Sequence, residues 1–456
     1  MYDILIVILA VIFVLGIAIN IHEFGHFAVA KLLGMRVDAY SFFGLGPRIW
    51  GFKYGHTDYR ISAIPLGAYV KLYGDEATGP LEGKDAQEET VPDSELYELR
   101  PRWQKFLVMI GGPFMNLLLA FSIPFIGALA YGVPSMPAPI VGVIKSGGAA
   151  ENAGLQKGDR IINFGGIENP TWERIEHDSL VSPEQPIQVT VERGGQKMPL
   201  SITPTKIDVK GNMVGDVQFE PDMGVEPVVV GTIVEGGPAA QSGLQKGDRV
   251  LAFNGQTVRN SSELTSQIRE NKDAPAKILV ERNNQQKEIN TAAKLENDGV
   301  YRIGIGFSRG AITARENVGI GQAAAFAVNT NYEIVRLTGA VFGQLFAGKR
   351  SVKDAGVAGP IGIVQIISQV VHDQGFVGLI SILALISLNL GVFNLLPIPM
   401  LDGGQIAVLA IEGFLALFGL TLSMAIKEKI QLAGLAIILL LMVTVIFFDV
   451  SRIIGK

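Results

Sequence analysis

Ile4-Leu-Ile-Val-Ile-Leu-Ala-Val-Ile-Phe-Val-Leu-Gly-Ile-Ala-Ile-Asn20-Ile-His22-Glu23-Phe-Gly-His26 decides how this chain is read, because an uncharged run from Ile4 to Ile19 ends in two histidines. On a helix the i, i+4 spacing puts His22 and His26 on one face, where two imidazoles can grip one Zn²⁺ with Glu23 beside it. The whole chain has only 5 histidines, which makes a chance match of this kind rare. A polar cap on a helix end is the bland alternative, yet ionisable groups in an apolar span are functional by default. His22 follows Ile4 by 18 residues, which at helical rise is about 27 Å into a bilayer whose hydrocarbon layer is about 30 Å thick.

At 456 residues, 18% charged and with a mean hydropathy of +0.34, the chain reads as a polytopic membrane protein with room for soluble domains. Net charge −5 and the lack of a basic stripe exclude nucleic acid as a partner. With no cysteine, disulfides, a thiolate nucleophile and thiolate metal ligands are excluded together. The amino terminus has no basic n-region and no small-residue cleavage site near Asn20, so it reads as a retained first span. Four segments can cross a bilayer: 4–33, 106–131, 376–396 and 430–448. Lys31, Arg36, Arg100, Arg102 and Lys105 flank the link between the first two, which the positive-inside rule makes cytoplasmic. Both termini and residues 132–375 then lie outside, in the periplasm if the membrane is a Gram-negative inner membrane.

A catalytic zinc normally has three protein ligands plus water. The third span runs inward and ends in Asn394-Leu-Leu-Pro397-Ile-Pro399-Met-Leu-Asp402-Gly-Gly404, which brings Asp402 to the depth of His22. Two prolines stop the helix and the glycines permit a tight turn back toward a neighbouring helix. Alone, Asp402 would read as the cap of a cytoplasmic turn. Beside a histidine pair at matching depth, it reads as the third ligand.

The pairing of His-Glu-x-x-His in the first span with Asn-x-x-Pro-x-Pro-x-Leu-Asp-Gly near the end resembles the site-2 protease family of intramembrane zinc proteases, over essentially the whole chain. The resemblance implies His22, His26 and Asp402 as ligands of one Zn²⁺, Glu23 as the catalytic carboxylate and Asn394 as a contact to the substrate backbone. Gly112-Pro113-Phe-Met-Asn116 resembles another family motif, which makes Asn116 a further substrate-binding candidate. Unaided chemistry points the same way: zinc acidifies water, and Glu23 can take its proton and return it to the leaving amine. An interhelical hydrogen bond is the equal alternative for Asn394.

A transmembrane substrate helix shields its own backbone, so it must be locally unwound before attack. Arg60-Ile-Ser-Ala-Ile-Pro-Leu-Gly-Ala-Tyr-Val-Lys71 is strand-like, interrupted by Pro65 and Gly67. A free edge there, with Gly67 in contact, could hold extended substrate by β-addition. The resemblance implies a membrane-entering β-loop at 52–74, whereas the residues alone suggest an ordinary cytoplasmic hairpin.

Outside the membrane the chain repeats itself. Gly147 to Gly166 returns 89 positions later as Gly236 to Gly255 with 12 of 20 positions identical. The Ala-Gly-Leu-x-x-Gly-Asp-Arg pattern resembles circularly permuted bacterial PDZ domains, whose usual activity is to bind a peptide carboxyl terminus. Met223-Gly-Val-Glu-Pro227 reads as a strand of either repeat, and the similar Ile303 to Phe307 suggests that each closes its own. A rigid spacer or steric gate stands level with peptide binding.

The expected fold class is therefore a polytopic α-helical membrane protein with four transmembrane helices, a membrane-associated β-loop and two tandem circularly permuted PDZ domains of α+β type. Its parts are an N-terminal membrane part (1–135), PDZ repeats (136–226 and 227–309), an amphipathic helical connector (310–370) and a C-terminal membrane part (371–456). Val318 to Phe346 reads as one or two helices, Gly404 to Ser423 as a cytoplasmic helix and Asp75 to Glu98 as a solvated acidic loop. Gln405, and Ala149 against Pro238 between the repeats, are expected to leave the ligands untouched. The expected function is an intramembrane zinc endopeptidase that cleaves single-span proteins near the cytoplasmic face. The resemblance implies a pre-trimmed anti-sigma factor or signal-peptide remnants as substrates, in regulated intramembrane proteolysis serving a stress response. A membrane-anchored PDZ scaffold with a non-catalytic metal site is the rival, and a zinc-dependent transporter a weaker one.

Overall fold

In the computed structural model, residues 2–64, 67–73, 91–134, 137–209, 212–225, 227–296, 299–307, 315–349 and 359–454 are described. Pro65, most of the acidic stretch 75–98 and parts of the 310–370 connector lie outside them. The chain forms two units, residues 1–131, 318–338 and 357–456 in one, 132–317 and 339–356 in the other.

Four helices in the first unit are long and apolar enough to span a membrane: Ile4–Leu32, Arg102–Tyr131, Pro360–Asn394 and Ala425–Ser451. The first belongs to helix α1 (Tyr2–Leu32) and the second is helix α2 (Arg102–Tyr131). The third begins earlier than composition suggests because a second helical stretch precedes it. Gly375, at φ 62° and ψ −146°, breaks the Pro360–Asn394 helix, and the expected third span starts at the next residue. Small residues set how closely the spans approach: a Cβ on Gly25 would strike Gly111 O, and one on Gly111 would come within 2.7 Å of Gly25 O. Ala10, Val14, Ala18, Ile367, Leu379 and Leu383 fill the contact between α1 and the Pro360–Asn394 helix. Asp449 of the last span is buried and accepts the N–H groups of Gly359 (3.1 Å) and Gly362 (3.0 Å). A carboxylate thereby satisfies donors that the helix start at Pro360 leaves open.

Between α1 and α2 lies a sheet of four strands, β1 (Val37–Ser41), β2 (Leu45–Tyr54), β3 (Thr57–Ile64) and β4 (Tyr69–Leu72), ordered β2-β3-β1-β4. The sheet therefore begins well before the expected 52–74 region. A parallel β1–β3 pairing rules out a plain hairpin. Tyr40 stacks on Phe27 of α1 at 4.9 Å between ring centroids and ties the sheet to the helices. β2 leaves Ile49, Trp50 and Phe52 exposed, an apolar face of the kind that meets lipid or a partner. β4 is the opposite edge.

In the second unit each repeat builds its own sheet and core. Val141–Ile144 pairs with Phe219–Pro221 in the first, and Val228–Ile233 pairs with Ile305–Phe307 in the second. Met223 to Val225 form no strand, so the closing strand of the first repeat lies a few residues earlier than the sequence suggested. The Gly-Asp-Arg signature has a structural cause. Asp159 is gripped by Arg193 at 2.6 Å on both oxygens, and Asp248 by Arg282 at 2.6 and 2.7 Å. Burial alone would raise these carboxyls, but the guanidinium and backbone hydrogen bonds outweigh it and hold both below the usual carboxylate range.

Removing Arg282 leaves Asp248 buried without its cation, so Arg282→Ala is expected to destabilise the second repeat by about 3–5 kcal/mol at neutral pH. Because the folded value is depressed, this contribution is complete above about pH 4 and is lost as pH falls through the folded value. Hydrogen exchange of the repeat's strands against pH checks it. A loss below about 1 kcal/mol, as for an exposed pair, would contradict it.

The expected helix at 318–346 is a single one, Ile320–Phe346, which belongs to the first unit as far as Thr338. Asn331 donates to Ala120 O at 3.1 Å, and Glu333 pairs with Arg336.

Candidate metal centre

Helix α1 delivers His22 and His26 one turn apart. The segment after the third span delivers Asp402 by a route that differs from the expected glycine turn. The reversal is made by Leu395 to Leu401, with Met400 at φ 79°, and Asp402 is the first residue of the helix Asp402–Ala416. Gly403 and Gly404 sit in that helix's first turn, where a Cβ would collide with Leu395 O and Ile398 O. Their role is close packing beneath the carboxylate.

The three side chains converge. His22 Nε2 lies 3.1 Å from Asp402 Oδ2, His26 Nε2 lies 3.5 Å from Asp402 Oδ1, and the two Nε2 atoms are 3.2 Å apart. Donors bound tetrahedrally to one zinc at about 2.0–2.1 Å stand about 3.3 Å from one another. His26 Nδ1 faces Val108 O at 2.7 Å, and donating there leaves Nε2 as a lone pair. Apart from the His22 contact, Asp402 Oδ2 is buried and has no hydrogen-bond partner among the described residues. A divalent cation satisfies all three groups at once, so the donor set fits the metal.

A cavity of about 240 Å³ opens on this cluster, lined among others by Glu23, Val70, Leu72, Asn394 and Gln405. Glu23 takes a backbone hydrogen bond at Val70, which puts its carboxylate against β4. Asn394 Nδ2 lies 3.2 Å from His22 Nε2. Gln405 lines the same cavity as Asp402.

Two candidates lie elsewhere. Asn116 is fully buried with its amide toward His22 Nδ1, and it is absent from the cavity lining. Gly67 also stays off the lining. At φ 99° it shapes the approach to β4, and its carbonyl accepts the Gly44 N–H at 2.8 Å. The motif that begins at Gly112 gave that residue no role of its own, and the structure supplies one: a Cβ there would strike His26 Nε2. A glycine pair inside a long apolar helix was the available signal.

Residues 10–441 match the model of peptidase family M50. The chain belongs to peptidase family M50. It is a membrane-embedded peptidase, similar along nearly its whole length to known proteases. "Protease RseP" of Yersinia pestis is 31% identical over 97% of this chain and 98% of its own. "Regulator of sigma-E protease RseP" of Escherichia coli K12 is 28% identical over 96% and 97%. A PDZ domain of an SdrC-like protein from Listeria innocua is 26% identical over 19% of this chain and 97% of its own, with a TM-score of 0.18.

Proposed function

We propose that this peptidase hydrolyses membrane-embedded peptide bonds with one zinc ion held by His22, His26 and Asp402, and with Glu23 as acid–base catalyst. The carrying observation is that three metal-competent donors meet within 3.5 Å on a cavity that Glu23 also lines. Bound zinc supplies Lewis acidity, acidifying water and polarising the scissile carbonyl. Glu23 would accept the proton of the attacking water as the new C–O bond forms, and then hand it to the amide nitrogen so that the C–N bond breaks and the amine leaves. Asn394, on the same wall, holds the substrate backbone.

β4 is an edge strand whose Val70 and Leu72 line the cavity, and it offers pairing to a substrate segment that has left its helix. The substrates are single-span membrane proteins already shortened outside, of the anti-sigma-factor type, or signal-peptide remnants. The positive charges around the first link support an inner-membrane orientation with termini and repeats in the periplasm and the metal near the cytoplasmic face. In the second repeat a groove of about 130 Å³ lies between the Ser261–Asn271 helix and residues 300–307, suited to an extended peptide end. Tandem repeats on the side of the membrane where that topology puts them would reject substrates with bulky external domains. Purified enzyme in detergent is expected to cleave a single-span substrate with a short external part at least about tenfold faster than the same span bearing a folded domain. Equal rates would remove the size filter, and no cleavage of either would remove the peptidase assignment for these substrates.

A further inference from the structure

Asn116 and Ser387 are both fully buried, on different spans, and neither lines the catalytic cavity. One end of the Asn116 amide lies 3.3 Å from His22 Nδ1, and the other lies 3.2 Å from Ser387 Oγ. Ser387 Oγ is also 3.0 Å from the Asn116 carbonyl oxygen. Amide nitrogen and oxygen are exchanged by a simple flip, so the network decides which end faces the imidazole.

With the amide nitrogen toward His22, Nδ1 must accept, and the ring proton is forced onto Nε2. That atom faces Asp402, His26 Nε2 and Asn394, where a proton would block metal coordination. With the oxygen toward His22, Nδ1–H donates to Asn116 Oδ1 and Nε2 is a free lone pair. The amide nitrogen then donates to Ser387 Oγ, and the Ser387 hydroxyl donates to Asn116 O. In this second arrangement the imidazole Nδ1–H, one amide N–H of Asn116 and the Ser387 hydroxyl each meet an acceptor. Resting on the reading of His22 as a zinc ligand, we infer that Asn116 and Ser387 are a positioning pair that holds His22 with its proton on Nδ1 and presents Nε2 to the metal. The chain crosses α1, α2 and the third span, so correct packing of three helices is read out at one imidazole.

The test uses the full-length protein in detergent, with zinc affinity measured by competition against a chromophoric chelator and the visible absorption of the Co²⁺-substituted form. Asn116→Leu is expected to weaken zinc binding about 10–100-fold and to change the cobalt bands. Asn116→Asp, which keeps an acceptor for Nδ1–H, is expected to restore affinity to within a few-fold of wild type. Ser387→Ala is the milder variant, leaving the amide free to turn, and is expected to fall between the two. Wild-type affinity and an unchanged cobalt spectrum in both Asn116→Leu and Ser387→Ala would overturn the pair. So would Asn116→Asp binding no better than Asn116→Leu. Should Asn116→Leu not fold, Ser387→Ala decides by the same two readouts. A wild type that binds no zinc would overturn the ligand assignment of His22 itself, and the pair with it.

Discussion

Glu23→Gln is expected to lower cleavage of a single-span substrate by about 10²–10⁴-fold, the range for loss of a positioned acid–base group. Zinc content should stay at the wild-type level. The amide is nearly isosteric with the carboxylate and can still accept the hydrogen bond at Val70, so β4 keeps its place beside the cavity. What disappears is the capacity to take a proton from water and return it to the leaving amine. Initial cleavage rates and metal content measured on the same samples check this. Activity within tenfold of wild type would sink the role of Glu23. Unchanged inactivity of both proteins toward several substrates would favour a membrane-anchored scaffold.

Asp402→Asn carries the other large effect. The substitution keeps the volume at the first position of its helix, where Gly403 and Gly404 pack against Leu395 and Ile398. It removes the negative charge and one of the two oxygens facing the imidazoles. Two histidines alone leave a catalytic zinc one ligand short. Zinc content is therefore expected to fall from about one ion per chain to a small fraction, and cleavage to fall with it. The negative charge at that helix start contributes only about 0.3–1 kcal/mol to folding, so thermal stability without metal should barely change. A variant with full zinc content would show that Asp402 is not a ligand.

The spans and the histidine pair were legible because each rests on local periodicity: an uncharged run of helical length, then two imidazoles at i, i+4. Asp402 was found by depth, a consequence of span count and direction. Its surroundings were not. A reversal made by Leu395 to Leu401 with Met400 in a left-handed conformation leaves little compositional trace, and the two glycines that suggest a turn serve packing instead. β1 and β2 were missed because their pairing is parallel or irregular, without the strict alternation that marks a half-buried strand. The partner of each repeat's aspartate stood in plain view, since Val-Glu-Arg at 191–193 recurs at 280–282 with the same spacing of 89. Its meaning required the fold, because the contact joins residues 34 apart. Asn116 was found by motif, but its place beside His22 was not, since helix rotation decides whether a polar side chain faces a cavity or a neighbouring imidazole.

Zinc titrated into metal-stripped wild-type protein, with cleavage of a single-span substrate in proteoliposomes as the readout, tests the central claim most directly. The expected result is no cleavage after stripping and full recovery at about one equivalent of zinc per chain. Cleavage that survives complete removal of metal, or that fails to return once one zinc per chain is bound again, would contradict it.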